Sequence, residues 1–393
     1  MIPYLELSKV IAQKGHRVSF IATPRNIHRL PKLPQDLAPL INLVKVTLKS
    51  VDELPKNAEA TMDVRTEAIP YLKKAFDGLK PELTRFLQNS AADWVIYDFA
   101  THWLPPVAAK LGITCAHFSI FNACILGFAG SSEAMINGSD ERTKPEDLIV
   151  PPKWVSFPTS VACRRYEVVF DSDVVFIRQS NEFELEWLNL LKELHQKPVI
   201  PVGLMPPSTK DTGDESNETW LAIKEWLDSQ NKGSVVYVAL GSEVTLSQAE
   251  FCELALGLEQ SGLPFFWVLR KPPASKESDL IDLPDGFEQR TKCQGVVCKA
   301  WAPQLKILGH DSVDQGLNAR VLVDKELGVE VQRDERDGSN TKNSVVESIR
   351  LVMVDIEGKH YRAKTKEMSA IFADKDRQGR YSDQFVGYLE RVM

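Results

Sequence analysis

The chain has 393 residues and lacks several features that would each mark a function class. No uninterrupted apolar run is long enough to span a bilayer, so no stable membrane insertion is expected. The opening stretch MIPYLELSKVIAQKGHRVSF carries Glu6 and Lys9, which interrupt any apolar core of a secretion signal. Positive charge is not in excess: 47 Lys and Arg face 54 Asp and Glu, for a net charge of -7. That balance argues against a surface for nucleic acid or anionic lipid. Cysteine is sparse. Cys115, Cys124, Cys163, Cys252, Cys293 and Cys298 are scattered, and no pair has metal-ligand spacing with a second pair to match it. Reduced thiols and a cytoplasmic location are the expectation. No G-x-G-x-x-G follows a strand with an acidic residue downstream, which weighs against a nicotinamide-dependent oxidoreductase. Fixed-period repeats and low-complexity tracts are also absent.

What is present is a rhythm of short apolar runs and longer amphipathic stretches. RVSFIA (17–22), WVIYD (94–98), ITCAHFSI (113–120), VVFIRQ (174–179) and PVIPVG (198–203) read as strands. IPYLELSKVIAQKG and TEAIPYLKKAFDGLKPELTRFLQNS have helical spacing. Strands that are continuously apolar rather than alternating point to burial on both faces, as in a parallel sheet. The polar, Pro-rich stretch MPPSTKDTGDESNE (205–218) reads as a linker. After it the rhythm restarts with SVVYVALGS (234–242), the helix LSQAEFCELALGLEQSG (246–262), and the strands PFFWVLR (264–270) and GVVCKAWAP (295–303). SVVESIRLVMV, KHYRAKTKEMSAIFA and QFVGYLERVM then read as helices. The fold class expected is α/β, with two Rossmann-like domains facing a cleft and ligands at the carboxyl ends of the strands. The expected division is 1–204, a linker at 205–218, 219–375, and a C-terminal helix at 376–393 that packs back on the first domain.

Two stretches carry candidate chemistry. In VALGSE, a Gly-Ser pair after a strand can turn backbone N–H groups and the Ser242 hydroxyl toward a phosphate, although such a pair is more often an ordinary turn. In KAWAPQLKILGH, Trp301 stands at a strand end before Pro303. Its flat face suits stacking on a base, worth roughly 1–3 kcal/mol by analogy with nucleic-acid stacking. Gln304 can bond ribose hydroxyls. A core tryptophan capping the sheet is the competing reading.

WAPQLKILGHDSV resembles the opening of the signature box of plant family-1 UDP-glycosyltransferases, and the following Asp314-Gln315 resembles its last two residues. The resemblance extends over nearly the whole chain, through IPYLELSKVIAQKGHRVSFIATPRN, DWVIYDFATHWLPPVAAKLGI and VVYVALGSEVTLS. It is closest to the branch-forming group that adds rhamnose or glucose to a sugar already on a flavonoid or triterpenoid. The resemblance implies the GT-B fold, with the acceptor on the N-terminal domain and the UDP-sugar on the C-terminal one. It implies transfer in a single inverting displacement, with a histidine taking the acceptor proton and an aspartate orienting it. No metal or cofactor is implied, the UDP-sugar being a co-substrate. Carried over by residue, Asp98 matches the orienting aspartate and Ser242 the phosphate loop. Trp301 would stack on uracil, the backbone of Ala302 would bond its edge, and Gln304 would reach the ribose. Asp314 and Gln315 would hold hydroxyls of the donor sugar, Gln315 being compatible with glucose without excluding rhamnose.

Departures from the family pattern are equally specific. The family's first strand and its catalytic histidine precede the segment that begins here at Met1. His16, in KGHRV, lies on the turn before the second strand, away from the expected cleft; His102 reads as pocket wall, and His310 as structural. Loss of a general base costs about 10²–10⁴-fold in rate. Between Val313 and Asp314 roughly thirty residues of the family pattern are absent, close to one strand-helix unit. That unit would bring a helix N-terminus to the pyrophosphate and a further strand to the sheet. The stretch RRYEVVFDSDVVF is also short relative to the family. Two readings follow: a UDP-glycosyltransferase, or a catalytically inactive, truncated or splice-type product of such a gene.

Overall fold

A computed structural model describes residues 1–131, 142, 144, 147, 150–159, 172–206, 217–239, 246–269, 282–299, 302–308, 319–334 and 338–393, with only the backbone of residues 305 and 319–321. The chain divides into two compact units, Met1–Pro207 with Met368–Met393, and Ser208–Glu367. Of the stretch read as a linker, residues 207–216 lie outside the described residues.

In the first unit, α1 (Ile2–Gln13) starts with proline in its first turn and buries Leu5, Leu7, Ile11 and Ala12. Strand β1 (Val18–Ala22) pairs in parallel with β2 (Ile41–Lys45), setting Phe20 opposite Leu43, and α2 (Pro24–His28) lies between them in sequence. A second, four-stranded parallel sheet has the order β3 (Trp94–Tyr97), β4 (Thr114–Ser119), β5 (Val174–Ile177), β6 (Val199–Pro201). All four residues of β5 are buried, so both its faces are covered. Among the described residues, α3 (Ile69–Asp77), α4 (Lys80–Gln88), α5 (Leu104–Leu111) and α6 (Ala123–Ala129) lie between β2 and β5. Helix α7 (Asn181–His195) follows β5. Helix α5 ends on Gly112 at φ 69°, a left-handed cap that only glycine adopts without steric cost.

In the second unit, α8 (Glu218–Asp228) is capped by Asn217, whose side chain accepts from the Trp220 N–H at 3.2 Å. Three parallel strands follow in the order β7 (Val236–Ala239), β8 (Phe265–Val268), β9 (Gly295–Cys298). All four residues of β8 are buried. Among the described residues β7 pairs with β8 alone, and none of its residues is fully buried. Helix α9 (Gln248–Ser261) begins with a capping box: the Ser247 N–H donates to the Glu250 carboxylate at 2.9 Å while the Ser247 hydroxyl accepts from the Glu250 N–H. Short helices α10 (Phe287–Arg290), α11 (Gln304–Leu308) and α12 (Ala319–Asp324) precede α13 (Lys342–Met353) and α14 (Lys359–Ala373). Helix α13 lies against α9, where its Lys342 N–H donates to Glu253 at 2.6 Å.

Helix α15 (Lys375–Val392) belongs to the first unit. It inserts Phe385, Val386 and Leu389 into the core formed by Ala116, Phe118, Val174, Phe176 and Val202. Burying each such apolar side chain contributes about 1.5–3 kcal/mol.

The α/β class with parallel sheets agrees with the apolar patterning. Two local expectations change. The helical stretch 66–90 is two helices and a leading 3-10 turn, because Pro81 has no N–H for the carbonyl of Asp77. Strand β2 was not expected: it has only five residues, two of them Asn42 and Lys45, and pairing with β1 supplies what its composition does not.

Candidate functional site

Because β3 and β4 run parallel, their carboxyl ends open on the same edge of the sheet. Asp98 directly follows β3 and caps a 3-10 turn, Phe99–Thr101: its side chain accepts from the Ala100 N–H at 3.0 Å. The Thr101 hydroxyl donates to the Asp98 carbonyl at 3.1 Å. The first bond orients the carboxylate without neutralising it, and the second holds the backbone of the turn. Burial raises the Asp98 carboxyl above its ordinary value, with the Ala100 N–H pulling the other way. Tyr4 of α1 spans the top of β4, donating its hydroxyl to the Phe118 carbonyl at 2.6 Å. Burial raises the Tyr4 phenol well above its usual value, and the charge of Asp98 adds to this.

Apolar groups flank Asp98. Phe99 is 50% exposed and Ile120, directly after β4, is 43% exposed. The Phe99 and Phe121 rings lie 5.7 Å apart between centroids at 49°. A charged acceptor of hydrogen bonds beside an open apolar wall suits a ligand with a hydroxyl on a ring system. His102 ends the 3-10 turn and is exposed. His16 lies instead against α15, its Nε2 2.9 Å from the Glu390 carboxylate.

Behind the wall lies a carboxylate that reading along the chain missed. Glu184, in the first turn of α7, is fully buried. Its two oxygens accept from the N–H groups of Ala123 and Cys124, each at 3.0 Å, and it also accepts from the Gln179 side-chain amide. Burial raises its carboxyl, against the pull of these donors. A signal was available: Glu184, Trp187, Leu188 and Leu191 share one helical stripe and are all buried, so a carboxylate occupies a core position. Phe99 and Phe121 carried no such signal, because only exposure in the folded chain distinguishes them from core phenylalanines.

Of the donor residues, two are described. Ala302 is buried with Trp220, Ile223, Val235, Phe266 and Ile307, which fixes the backbone entering α11. Gln304 opens α11 and is exposed. Ser242, Trp301, Asp314 and Gln315 lie outside the described residues, as does the junction after Val313. Among the described residues no helix is long and apolar enough to cross a membrane.

No family model matches the chain. It is 49% identical to UDP-glycosyltransferase 91D2 of Stevia rebaudiana, over 100% of this chain and 92% of that protein. Soyasaponin III rhamnosyltransferase of Glycine max is 38% identical, over 99% of this chain and 92% of that protein. The alignment with the Stevia protein runs over 441 positions, 48 more than the 393 residues here, so at least that many positions of the relative have no counterpart. Among solved structures, Glycyrrhiza uralensis UGT73P12 complexed with glycyrrhetinic acid 3-O-monoglucuronide superposes with a TM-score of 0.76 at 19% identity, over 100% of this chain and 93% of that one. At that identity the likeness concerns the fold, two parallel-sheet units of the GT-B type. Sequence identity approaching one half across the whole chain, together with that fold, places this protein in the plant UDP-glycosyltransferases.

Proposed function

We propose that the chain transfers rhamnose or glucose from a UDP-sugar to a hydroxyl of a flavonoid or triterpenoid glycoside, with inversion. The observation that carries this reading is Asp98, half-buried and aimed by the Ala100 N–H beside the open wall of Phe99, Ile120 and Phe121. The wall takes the apolar rings of the acceptor. Asp98 stands at the position of the family's orienting aspartate, whose role is to hold and stabilise the histidine that removes the proton from the attacking hydroxyl. UDP leaves as an anion already stabilised by its phosphates, so the reaction calls for no cofactor and the UDP-sugar is a co-substrate. Trp301, the backbone of Ala302, Gln304, Ser242, Asp314 and Gln315 hold that donor. The setting is the cytoplasm. The soyasaponin rhamnosyltransferase among the relatives supports a glycoside as acceptor.

A second reading is a chain that binds its ligands without turning them over. It is favoured by the 48 or more positions of the Stevia relative that lack a counterpart here. One experiment separates the two. UDP that binds only the folded chain stabilises it by about 2.7 kcal/mol at a hundred times its dissociation constant. A rise in melting temperature with UDP, plus transfer from UDP-glucose or UDP-rhamnose to a flavonol 3-O-glucoside, supports the transferase. A rise without transfer supports the second reading. A cooperative transition that UDP does not move rejects the donor site.

A further inference from the structure

We propose that Glu184 is a positioning residue for the acceptor: it fixes the start of α6, and through it the Ile120–Phe121 wall beside Asp98. The inference rests on the acceptor reading given above. Helix α6 has seven residues, and its N-cap Asn122 makes no side-chain capping bond. The capping acceptor comes instead from a residue some sixty positions later in the chain. Glu184 Oε2 accepts from the Ala123 N–H and Oε1 from the Cys124 N–H, at 3.0 Å each. The Gln179 amide fills the remaining capacity of Oε2. Glu184 reaches back because α7 departs from helical geometry at this residue, with φ −134° and ψ 44°.

The other end of the same turn is tied to β4, where the Phe121 N–H donates to the Ser119 hydroxyl at 3.1 Å. Ile120 and Phe121 are therefore strung between two fixed points, the end of β4 and the first turn of α6. Phe121 then meets Phe99, the neighbour of Asp98 in the chain. A buried carboxylate is retained at low cost only when its oxygens are all engaged, and here the Ala123 and Cys124 N–H groups, the Gln179 amide and the Cys124 side chain engage them. A glutamine offers a single acceptor oxygen, and its amide N–H₂ would face a backbone N–H. Glu184→Gln therefore leaves at least one of these donors without an acceptor.

The test combines hydrogen exchange with binding of two probes, a flavonol 3-O-glucoside and UDP, to the full chain. In Glu184→Gln the Ala123 and Cys124 amides should exchange faster, the flavonol glucoside should bind roughly tenfold more weakly, and UDP binding should not change. Glu184→Asp, which keeps the charge on a shorter stem, should restore part of the affinity. Phe121→Ala, at a half-buried side chain beside Phe99, should weaken the same probe and spare UDP, which keeps the question open to test if Glu184→Gln does not fold. Unchanged exchange at Ala123 and Cys124 would overturn the clamp. Faster exchange with unchanged glucoside affinity, or equal loss for both probes, would overturn the positioning role. A wild-type chain that binds UDP and no flavonol glucoside removes the acceptor reading and this role with it, while the exchange rates report separately on the clamp.

Discussion

Phe385 of the C-terminal helix stands edge-on to Phe176 at the centre of β5, with ring centroids 4.8 Å apart at 84°. Both side chains are fully buried. A helix more than two hundred residues away in sequence thus closes the core of the four-stranded sheet. Phe385→Ala removes the ring and leaves a cavity against β5, at an expected cost of about 3–5 kcal/mol. Urea unfolding of the variant checks this; a loss below about 1 kcal/mol would mean that α15 does not seal that core.

Asp98→Asn keeps an oxygen for the Ala100 N–H and removes the charge. Burial raises the folded-state pKa of Asp98, so the charged form is the one the fold disfavours. Stability from this group is complete below the ordinary carboxyl value of about 3.9 and is lost as pH rises through the raised folded value. The variant should therefore melt higher than the wild type at pH 7, and the gap should close near pH 3. Transfer, in the reading proposed above, should fall by about 10²–10⁴-fold. A variant that melts lower at pH 7 would show that the carboxylate is a net stabiliser, contrary to the environment described.

His117 pairs across the sheet with Tyr97, their rings 5.3 Å apart, and burial lowers its pKa to about 3. The unfolded chain takes up this proton near 6.5, so stability drops as pH falls from about 6.5 toward 3. The slope from one such group approaches 1.4 kcal/mol per pH unit. His195, lowered to about 4 mainly by burial, adds to it. Denaturant unfolding at several pH values should show this slope, and His117→Gln should flatten it. A slope unchanged in His117→Gln would assign the acid sensitivity elsewhere.

Gly257 lets α9 and α13 approach closely. A methyl group at this position would come within 2.6 Å of the Val345 side chain. Gly257→Ala should destabilise the second unit by about 1–3 kcal/mol despite alanine's better helix propensity. Adding Val345→Ala should recover part of that loss, which a double-mutant cycle reads directly. A neutral single substitution would mean that the two helices shift apart freely.

How much of this was legible depends on whether the signal lay in one stretch of chain. WVIYD was readable because a strand and the turn after it are local, and WAPQLKILGHDSV was readable as a family signature because its residues are contiguous. Glu184 was passed over because NEFELEW looks like a charged helix start; only the positions of Ala123 and Cys124 give its carboxylate partners. Strand β2 was hidden for a similar reason, since INLVK becomes a strand through pairing with β1. The break between α3 and α4, by contrast, was written in Pro81 and overlooked.

By itself, the sequence determined the α/β class, the parallel sheets and the membership in a glycosyltransferase family. Continuous apolar strands, helical stripes and a signature box are patterns of near neighbours, and near neighbours are what a sequence records. Tertiary structure alone decided that Phe385 closes the core over β5, that burial raises the carboxyl of Asp98, and that Glu184 holds the turn carrying Ile120 and Phe121. Desolvation, ring packing and the satisfaction of a buried charge are relations between residues far apart in the chain, and they exist only once folding has brought those residues together.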